Sequence, residues 1–504
     1  MTLARTQAIA LAGLDGSIID IEVDVSNGLP TYSLLGLPDA TLSEARDRIR
    51  AAIINSGFRW PNQKVTVSLS PAWLPKSGSS FDLPIALTIL VASGQLDNSR
   101  ILDYLFVGEL SLEGSLRSIR GLLPILIAAK RQGIQQVIVP AESLNEAEVV
   151  SGLKISALSN LKSVVKFLSG ELIYESPKMV ELEVSESVHD LSEVAGHRDA
   201  KFALEVLAAG RHNLLMIGPP GTGKTMLAER IPSILPPLSK EESIDVAGIH
   251  SIAGILKKNS ISTVPPFIAP HHATTIPALV GGGSGIIKPG ACSLAHNGIL
   301  FIDEAPECGS GILDALRQPI ESGQVTISRA NSSAIFPARF ILVLAANPCP
   351  CGKFSGRGRG CQCSSIQVRR YLGKLSGPLM DRIDIRIRVD APSRTDLADQ
   401  FVENSSAIRA RVMKAREIAK DRFSGFGIET NSQISPNLLR GKFRATKDAM
   451  VLLSNLLDRE VISARSFHRL LRVAWSIADL KSESVPGKTE VEQAISLRSG
   501  LDYE

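Results

Sequence analysis

Four apolar residues, Leu214 to Ile217, run into Gly218-Pro219-Pro220-Gly221-Thr222-Gly223-Lys224-Thr225, and a helix-forming stretch, MLAERI, follows. Glycines at 218, 221 and 223 let backbone N–H groups close around phosphate oxygens, and a helix N-terminus adds positive potential. In this strand–loop–helix setting Lys224 is expected to reach the β- and γ-phosphates of a nucleotide, and Thr225 to ligate Mg2+. A chance glycine loop would lack both flanking elements. It would also lack a second half, and GILFIDEAPE supplies one. There the apolar run Ile299 to Ile302 ends in Asp303-Glu304, where Asp303 would hold Mg2+ through water and Glu304 would polarise the attacking water. Alone, an Asp-Glu pair is only a strand end. A third apolar run, FILVLAANP, ends at Asn347, a polar tip suited to the γ-phosphate side; in isolation such an Asn is a turn former. The chemistry these residues point to is ATP hydrolysis.

The elements that must position them belong to a long, ordinary chain. At 504 residues there is room for about three domains. Hydrophobic residues are 44% and charged residues 21%, ordinary for a globular protein, so a buried core is within reach. A net charge of +4 gives no global basic field, so any nucleic-acid contact must come from local patches. Arg5 precedes only a short apolar run, and LPIALTILVA is far too short to span a bilayer. The expectation is a cytoplasmic protein without a membrane partner, where paired cysteines read as metal ligands or inert residues before cystines. The fold class expected is α/β. Residues 1–170 mix strand-like segments (IIDIEVDVS, KVTVSLS, QQVIVP) with helical ones. Residues 171–188 are glutamate-rich without a core pattern, as in a linker. Residues 189–395 alternate helix and strand, and 396–504 are mostly helical, with apolar residues at three- and four-residue spacing in SSAIRARVMKAREIAKDRF and SARSFHRLLRVAWSIADL.

Taken in order, the phosphate loop, Asp-Glu strand, Asn-tipped strand and LMDRID resemble an AAA+ ATPase. More narrowly, VAGHRDAKFALEVLAAGRHNLLMIGPPGTGKTMLAERI, APHHATTIPALVGGG, PGACSLAHNGILFIDEAPE and SARSFHRLLRVAWSIADL resemble the magnesium-chelatase-like YifB/ComM family along essentially the whole chain. The resemblance implies an AAA+ αβα core at 189–395 and a helical lid at 396–504. It implies that Arg382 is an arginine finger reaching a neighbouring subunit, and that Arg465 is a second sensor on the lid; alone, each would be an ordinary surface arginine. It further implies a homo-hexameric ring. HHATTIPALVGGGSGIIKPG looks like a helix-2 insertion and ESGQVTISRANSSAIFPARF like a hairpin, both facing a pore. Lys288 and Arg329, with His271 and His272, would then meet a DNA backbone; loop packing is an equal reading for the histidines. The activity implied is a DNA motor, a branch-migration helicase of recombination and natural transformation, using ATP and Mg2+. The alternative is a protein-remodelling subunit of the magnesium-chelatase kind that never grips DNA.

Two segments remain. SPAWLPKSGSSFDLPIAL with GELSLEGSLRSIRGLLPILIAAKRQG resembles the Lon-type proteolytic fold, placing residues 1–170 in a Lon-protease-like α+β domain. Ser80 falls near the serine position, but the lysine position falls on Leu123, with Lys130 two turns on; leucine accepts no proton, so peptidase chemistry is not expected. Lys76 and Ser80 are the residues that would carry it. The second is AANPCPCGKFSGRGRGCQC. Cys349, Cys351, Cys361 and Cys363 have the number a structural Zn2+ site needs. Their Cys-x-Cys spacing is weaker than Cys-x2-Cys and needs turns, which Pro350, Gly352 and Gly360 offer; free thiols in a loop are the other reading. Between Lys353 and Lys374 the basic residues Lys353, Arg357, Arg359, Arg369, Arg370 and Lys374 occur without an acidic one, a pattern suited to phosphate backbone.

Overall fold

The computed structural model describes residues 2–36, 39–74, 76, 78–172, 189–256, 261–283, 287–329, 332–354, 360–392 and 403–499. Most of the expected linker, and Arg357 and Arg359, lie outside them. The central unit is a five-stranded, all-parallel sheet in the order Phe267–Ile268, Ile299–Ile302, Ile341–Ala346, Leu214–Ile217, Ile385–Arg388. The three middle strands are buried at every residue. Helices cover both faces of such a sheet, so its strands read as unbroken apolar runs. Alternate side chains divide between two cores. Leu214, Met216, Ile299, Phe301, Val343 and Ala345 pack towards the Arg198–Gly210 helix and the C-terminal helices. Leu215, Ile217, Leu300, Ile302, Leu342 and Leu344 pack towards the other face. That second face carries the Ile276–Val280 helix, the Ala291–Leu294 helix, and an antiparallel hairpin of Gln324–Arg329 with Ser332–Pro337.

The C-terminal region is helical, as its spacing implied: Ser405–Arg422, Pro436–Arg440, Lys447–Asp458, Ala464–Lys481 and Lys488–Ser499. Ser463 caps the fourth of these helices by accepting from the Ser466 N–H. Within this region Trp475 Nε1 donates to the Phe443 carbonyl at 2.9 Å. The whole is a mixed α/β fold with a helical C-terminal region.

The N-terminal residues form a four-stranded sheet, Thr2–Ala12, Asp15–Ser26, Lys64–Ser70, Thr31–Leu35, with only the last pair parallel. Ile19, Ile21 and Val23, with Val65 and Val67, are fully buried against the Asp82–Ala92 helix, itself buried at every residue. A second, parallel sheet joins Leu105–Phe106, Gln136–Pro140 and Lys154–Leu158. The Leu122–Arg131 helix lies in a core shared with Ala247 of the Lys240–Ala253 helix. At that seam Ser251 Oγ donates to Glu146 Oε1 at 2.6 Å, and burial raises the Glu146 carboxyl. The Gly13 turn presses on the hairpin: a Cβ at Gly13 would stand 2.5 Å from the Ile335 carbonyl, so this wall of the hairpin is held by N-terminal residues.

Candidate active site

The phosphate loop leaves the sheet at Ile217 and enters the Lys224–Glu229 helix. Two of its glycines are needed for clear reasons. A Cβ at Gly218 would lie 2.0 Å from the Val389 carbonyl. Gly223 sits at φ +85°, the left-handed region that only glycine enters at no steric cost. Lys224, 8% exposed, donates to the carbonyls of Gly218 (2.7 Å) and Pro219 (2.9 Å) and lies 3.3 Å from Asn347 Oδ1. Burial lowers its pKa from the ordinary lysine value, with Asp303 and Glu304 opposing. Thr222 closes the loop by donating to Pro219 O at 2.9 Å.

Thr225 Oγ1 donates to Asp303 Oδ2 at 2.7 Å. A hydroxyl and a carboxylate oxygen are hard donors of the kind Mg2+ takes. Glu304 follows in the left-handed region, φ +49°, ψ +41°, held by its own N–H donating to Asp303 Oδ1 at 2.9 Å. A non-glycine residue there costs about 1–3 kcal/mol and persists only where surroundings demand it. The half-exposed Glu304 carboxylate lies 3.6 Å from His272 Nδ1, and the His271 and His272 rings lie with centroids 4.0 Å apart and planes tilted by 35°. Where the sequence pattern points to DNA contact or loop packing for the histidines, His272 meets the Asp-Glu strand end. The signal was there: Phe267–Ile268 pairs with Ile299–Leu300, so residues shortly after Ile268 emerge beside Asp303-Glu304.

Asn347 ends the central strand as expected, with Tyr371 buried behind it. The tyrosine's pKa is raised by burial and by Glu307 and Glu304, while its bond to the Asn347 backbone opposes.

The two candidate arginines stand elsewhere. Arg382 pairs with Glu321 and donates to Pro378 O, lining a cavity of about 820 Å3 with Val280, Asp314 and Ser328. Arg465, exposed, donates to Asp381 Oδ2 at 2.6 Å. Among the described residues neither has a hydrogen bond or ion pair to the phosphate loop. Asp384 does not pair with Arg382. It is buried between His212 Nδ1 (3.3 Å) and Arg469 NH1 (2.7 Å), while His212 Nε2 meets Ser476 Oγ at 2.7 Å. This network ties the sheet to the Ala464–Lys481 helix, and sequence reading missed it. Burial pushes the Asp384 carboxyl up, but the His212 bond and the charges of His212, Arg469 and Arg472 outweigh it and hold the group well below the usual carboxylate range.

Lys288 and Lys353 are exposed. Arg329 ends its hairpin strand, and its side chain lies outside the described residues. The four cysteines converge: all four sulfurs lie within 4.8 Å of one another. At the Lon-like segment the groups do not assemble. Lys76 is buried and donates to Pro71 O (2.6 Å) and Leu74 O (3.2 Å), and Lys130 donates to Ser151 O (2.6 Å). Among the described residues no hydrogen bond joins Ser80 to either lysine, and Leu123 is fully buried.

Comparison with known proteins agrees with this architecture. The family described as "Magnesium chelatase, subunit ChlI" matches residues 190–397, "Subunit ChlI of Mg-chelatase" matches 21–143, and "Magnesium chelatase, subunit ChlI C-terminal" matches 402–498. Competence protein ComM of Haemophilus influenzae is 41% identical over 512 residues, covering 99% of this chain and 98% of that protein. The chain belongs to the magnesium-chelatase-like YifB/ComM family. YifB of Escherichia coli is also 41% identical, over 99% of this chain and 97% of its own. An uncharacterized protein of Mycobacterium tuberculosis is 46% identical over 99% of both. Membership in this family supports an AAA+ ATPase that uses ATP and Mg2+. Among the described residues no helix is long and apolar enough to cross a membrane.

Proposed function

We propose that the chain is an ATP-driven DNA motor, a ring whose subunits hydrolyse ATP at their interfaces to move branched or single-stranded DNA. One observation carries the ATPase part: Lys224, Thr225, Asp303 and Asn347 come from three separate strand ends and meet at one place. Lys224 exchanges carbonyl partners for phosphate oxygens, and the loop N–H groups share that charge. Thr225 and Asp303 would hold Mg2+, which when bound supplies charge neutralisation. Glu304 takes a proton from the water that attacks the γ-phosphorus, with ADP as leaving group, and Asn347 orients that water. His272 keeps the Glu304 carboxylate in place. Arg382, held away from its own phosphate loop, is the finger offered to a neighbour's nucleotide, and Arg465 is the second sensor on the lid, so the active form is an oligomer, a hexamer by family likeness.

The DNA part rests on the full-length similarity to a competence protein, competence being the uptake of DNA, and on the basic residues Lys288, Arg329, Lys353, Arg357 and Arg359, which the sequence places in the helix-2 insertion, the hairpin and the cysteine segment. The test is ATP turnover by the purified chain with and without single-stranded or forked DNA. Severalfold stimulation supports the motor. No stimulation together with no DNA binding at low salt sinks it. The family descriptions, all naming magnesium chelatase, favour one other outcome: stimulation by a protein partner and not by DNA, which marks a protein-remodelling subunit.

A further inference from the structure

The cysteine segment begins two residues beyond Asn347. Cys349 is fully buried, and Cys351, Cys361 and Cys363 close around it. The Cys349–Cys351, Cys349–Cys361 and Cys351–Cys361 sulfur separations are 3.3, 3.7 and 3.6 Å. A disulfide needs about 2.05 Å. Four sulfurs at about 2.3 Å from a tetrahedral Zn2+ stand about 3.8 Å apart, close to what is seen. Polynuclear iron–sulfur clusters hold their cysteine sulfurs much farther apart than 4.8 Å. The turns that Cys-x-Cys spacing requires are present. Gly352 N–H donates to Cys349 O at 2.9 Å with Gly352 at φ +72°, and Gly360 sits at φ +87° just before Cys361.

This knuckle touches the phosphate loop. A Cβ at Gly352 would fall 2.7 Å from Pro220 Cδ, so the first Cys-x-Cys turn lies flat against the loop's outer wall. The second pair ends at Ser364, which caps the Ser365–Leu372 helix, and that helix carries Tyr371 to the Asn347 backbone. An ion joining the two pairs fixes strand end, turn and helix around the nucleotide side of the core. We propose that Cys349, Cys351, Cys361 and Cys363 bind one Zn2+ as a closed tetrathiolate, and that this ion holds the wall of the phosphate loop and the Asn347 strand end in register. The coupling half rests on the ATP-site reading above; the metal half does not.

The test begins with metal analysis of full-length protein purified without chelator. About one zinc per chain is expected, released stoichiometrically on titration with a mercurial reagent. Less than about half an equivalent, or mononuclear iron with its visible absorbance, overturns the zinc assignment. A Cys361→Ser/Cys363→Ser variant should lose the metal, whereas a Cys292→Ser/Cys308→Ser variant, changed at two buried cysteines outside the cluster, should keep it. Zinc retained by the first variant overturns the ligand set. Binding of a fluorescent ATP analogue is then compared between loaded protein and protein stripped by the mercurial, with far-ultraviolet circular dichroism checking that the fold persists. A tenfold or larger loss of affinity is expected. Equal affinity overturns the coupling, and so does an affinity loss that accompanies general unfolding. Failure of the loaded protein to bind the analogue at all counts against the ATP site alone.

Discussion

Lysine sits beside hydroxyl residues at two places in this chain, with opposite outcomes. At the phosphate loop, Lys224 reaches Asn347 from one strand end and Thr225 reaches Asp303 from another, so polar groups from distant segments converge. Next to Ser80, Lys76 ends on backbone carbonyls and Ser79 is taken by Glu109, while Lys130 ends on the Ser151 carbonyl. Burying an ammonium is tolerable only when its donors are satisfied, and Lys76 satisfies its own by stitching a turn. The same residue types make a convergent cluster in one region and a staple in the other. What separates them is convergence, which motifs hint at and only contacts display. A sequence resemblance to a peptidase fold therefore carries no peptidase chemistry of its own accord.

The sharpest way to break this contrast is at the interface. Arg382→Ala should lower ATP turnover about 1,000-fold, on the order of 4 kcal/mol, if the finger acts in trans. Mixing it with Lys224→Ala subunits should restore part of the rate, because some interfaces then pair an intact finger with an intact loop. No recovery on mixing would mean that Arg382 acts within its own chain. Next in size, Glu304→Gln should cost about 100-fold in kcat while nucleotide affinity changes less than about threefold, since the amide keeps the shape but takes no proton. Phosphate release and analogue binding on one preparation measure both. Loss of affinity in parallel with kcat would make Glu304 structural, like Lys76.

Asp384→Asn tests whether the network joining the sheet to the Ala464–Lys481 helix matters to stability. Asp384 is held charged between His212 and Arg469, and the amide weakens charged hydrogen bonds of about 1.5–3 kcal/mol each. A loss of about 2 kcal/mol in urea unfolding at pH 7 is expected. The pH sign follows from the depressed carboxyl. Its stabilisation is fully present above the ordinary aspartate range and lost as pH falls through about 4 and below. The gap between wild type and variant should therefore narrow in acid; a constant gap would remove Asp384's charge from the account.

Legibility in the sequence followed the distance between partners. Gly218 to Thr225 and Ile299 to Glu304 announce themselves because strand, loop and helix are contiguous, and buried parallel strands are plain apolar runs. The Thr2–Ala12 strand passed as a short apolar run, since its inward residues Ala4, Thr6, Ala8 and Ala10 are small and one is polar, leaving faint alternation. Leu83 to Ala92 showed no period because the helix is buried all round. His272 beside Glu304, Arg465 on Asp381, and His212–Asp384–Arg469 join residues 32 to 172 positions apart or more closely packed than spacing can express. The four cysteines were visible as a set, but their convergence depends on two left-handed glycines that spacing alone only permits.

The smallest expected effect is the most decisive for the N-terminal region. Ser80→Ala should leave ATP turnover unchanged and stability within about 0.5 kcal/mol, because among the described residues no hydrogen bond joins Ser80 to a lysine and the change deletes a single hydroxyl. Wild type and variant should alike fail to cleave casein, with or without ATP. A serine nucleophile needs a base within about 3.2 Å, and Leu123, where that base belongs in the Lon-type pattern, is sealed in the core and carries no proton acceptor. Apo geometries of real dyads do loosen, so a distance alone would be a weak argument. Here the ammonium groups of Lys76 and Lys130 are already committed to carbonyls, and reaching Ser80 would strand a buried Lys76 or unpick the turn it holds. Casein cleavage that disappears in Ser80→Ala would require that rearrangement during turnover, and would place a second reactive centre in the region that otherwise serves as a dock for the Lys240–Ala253 helix and the hairpin.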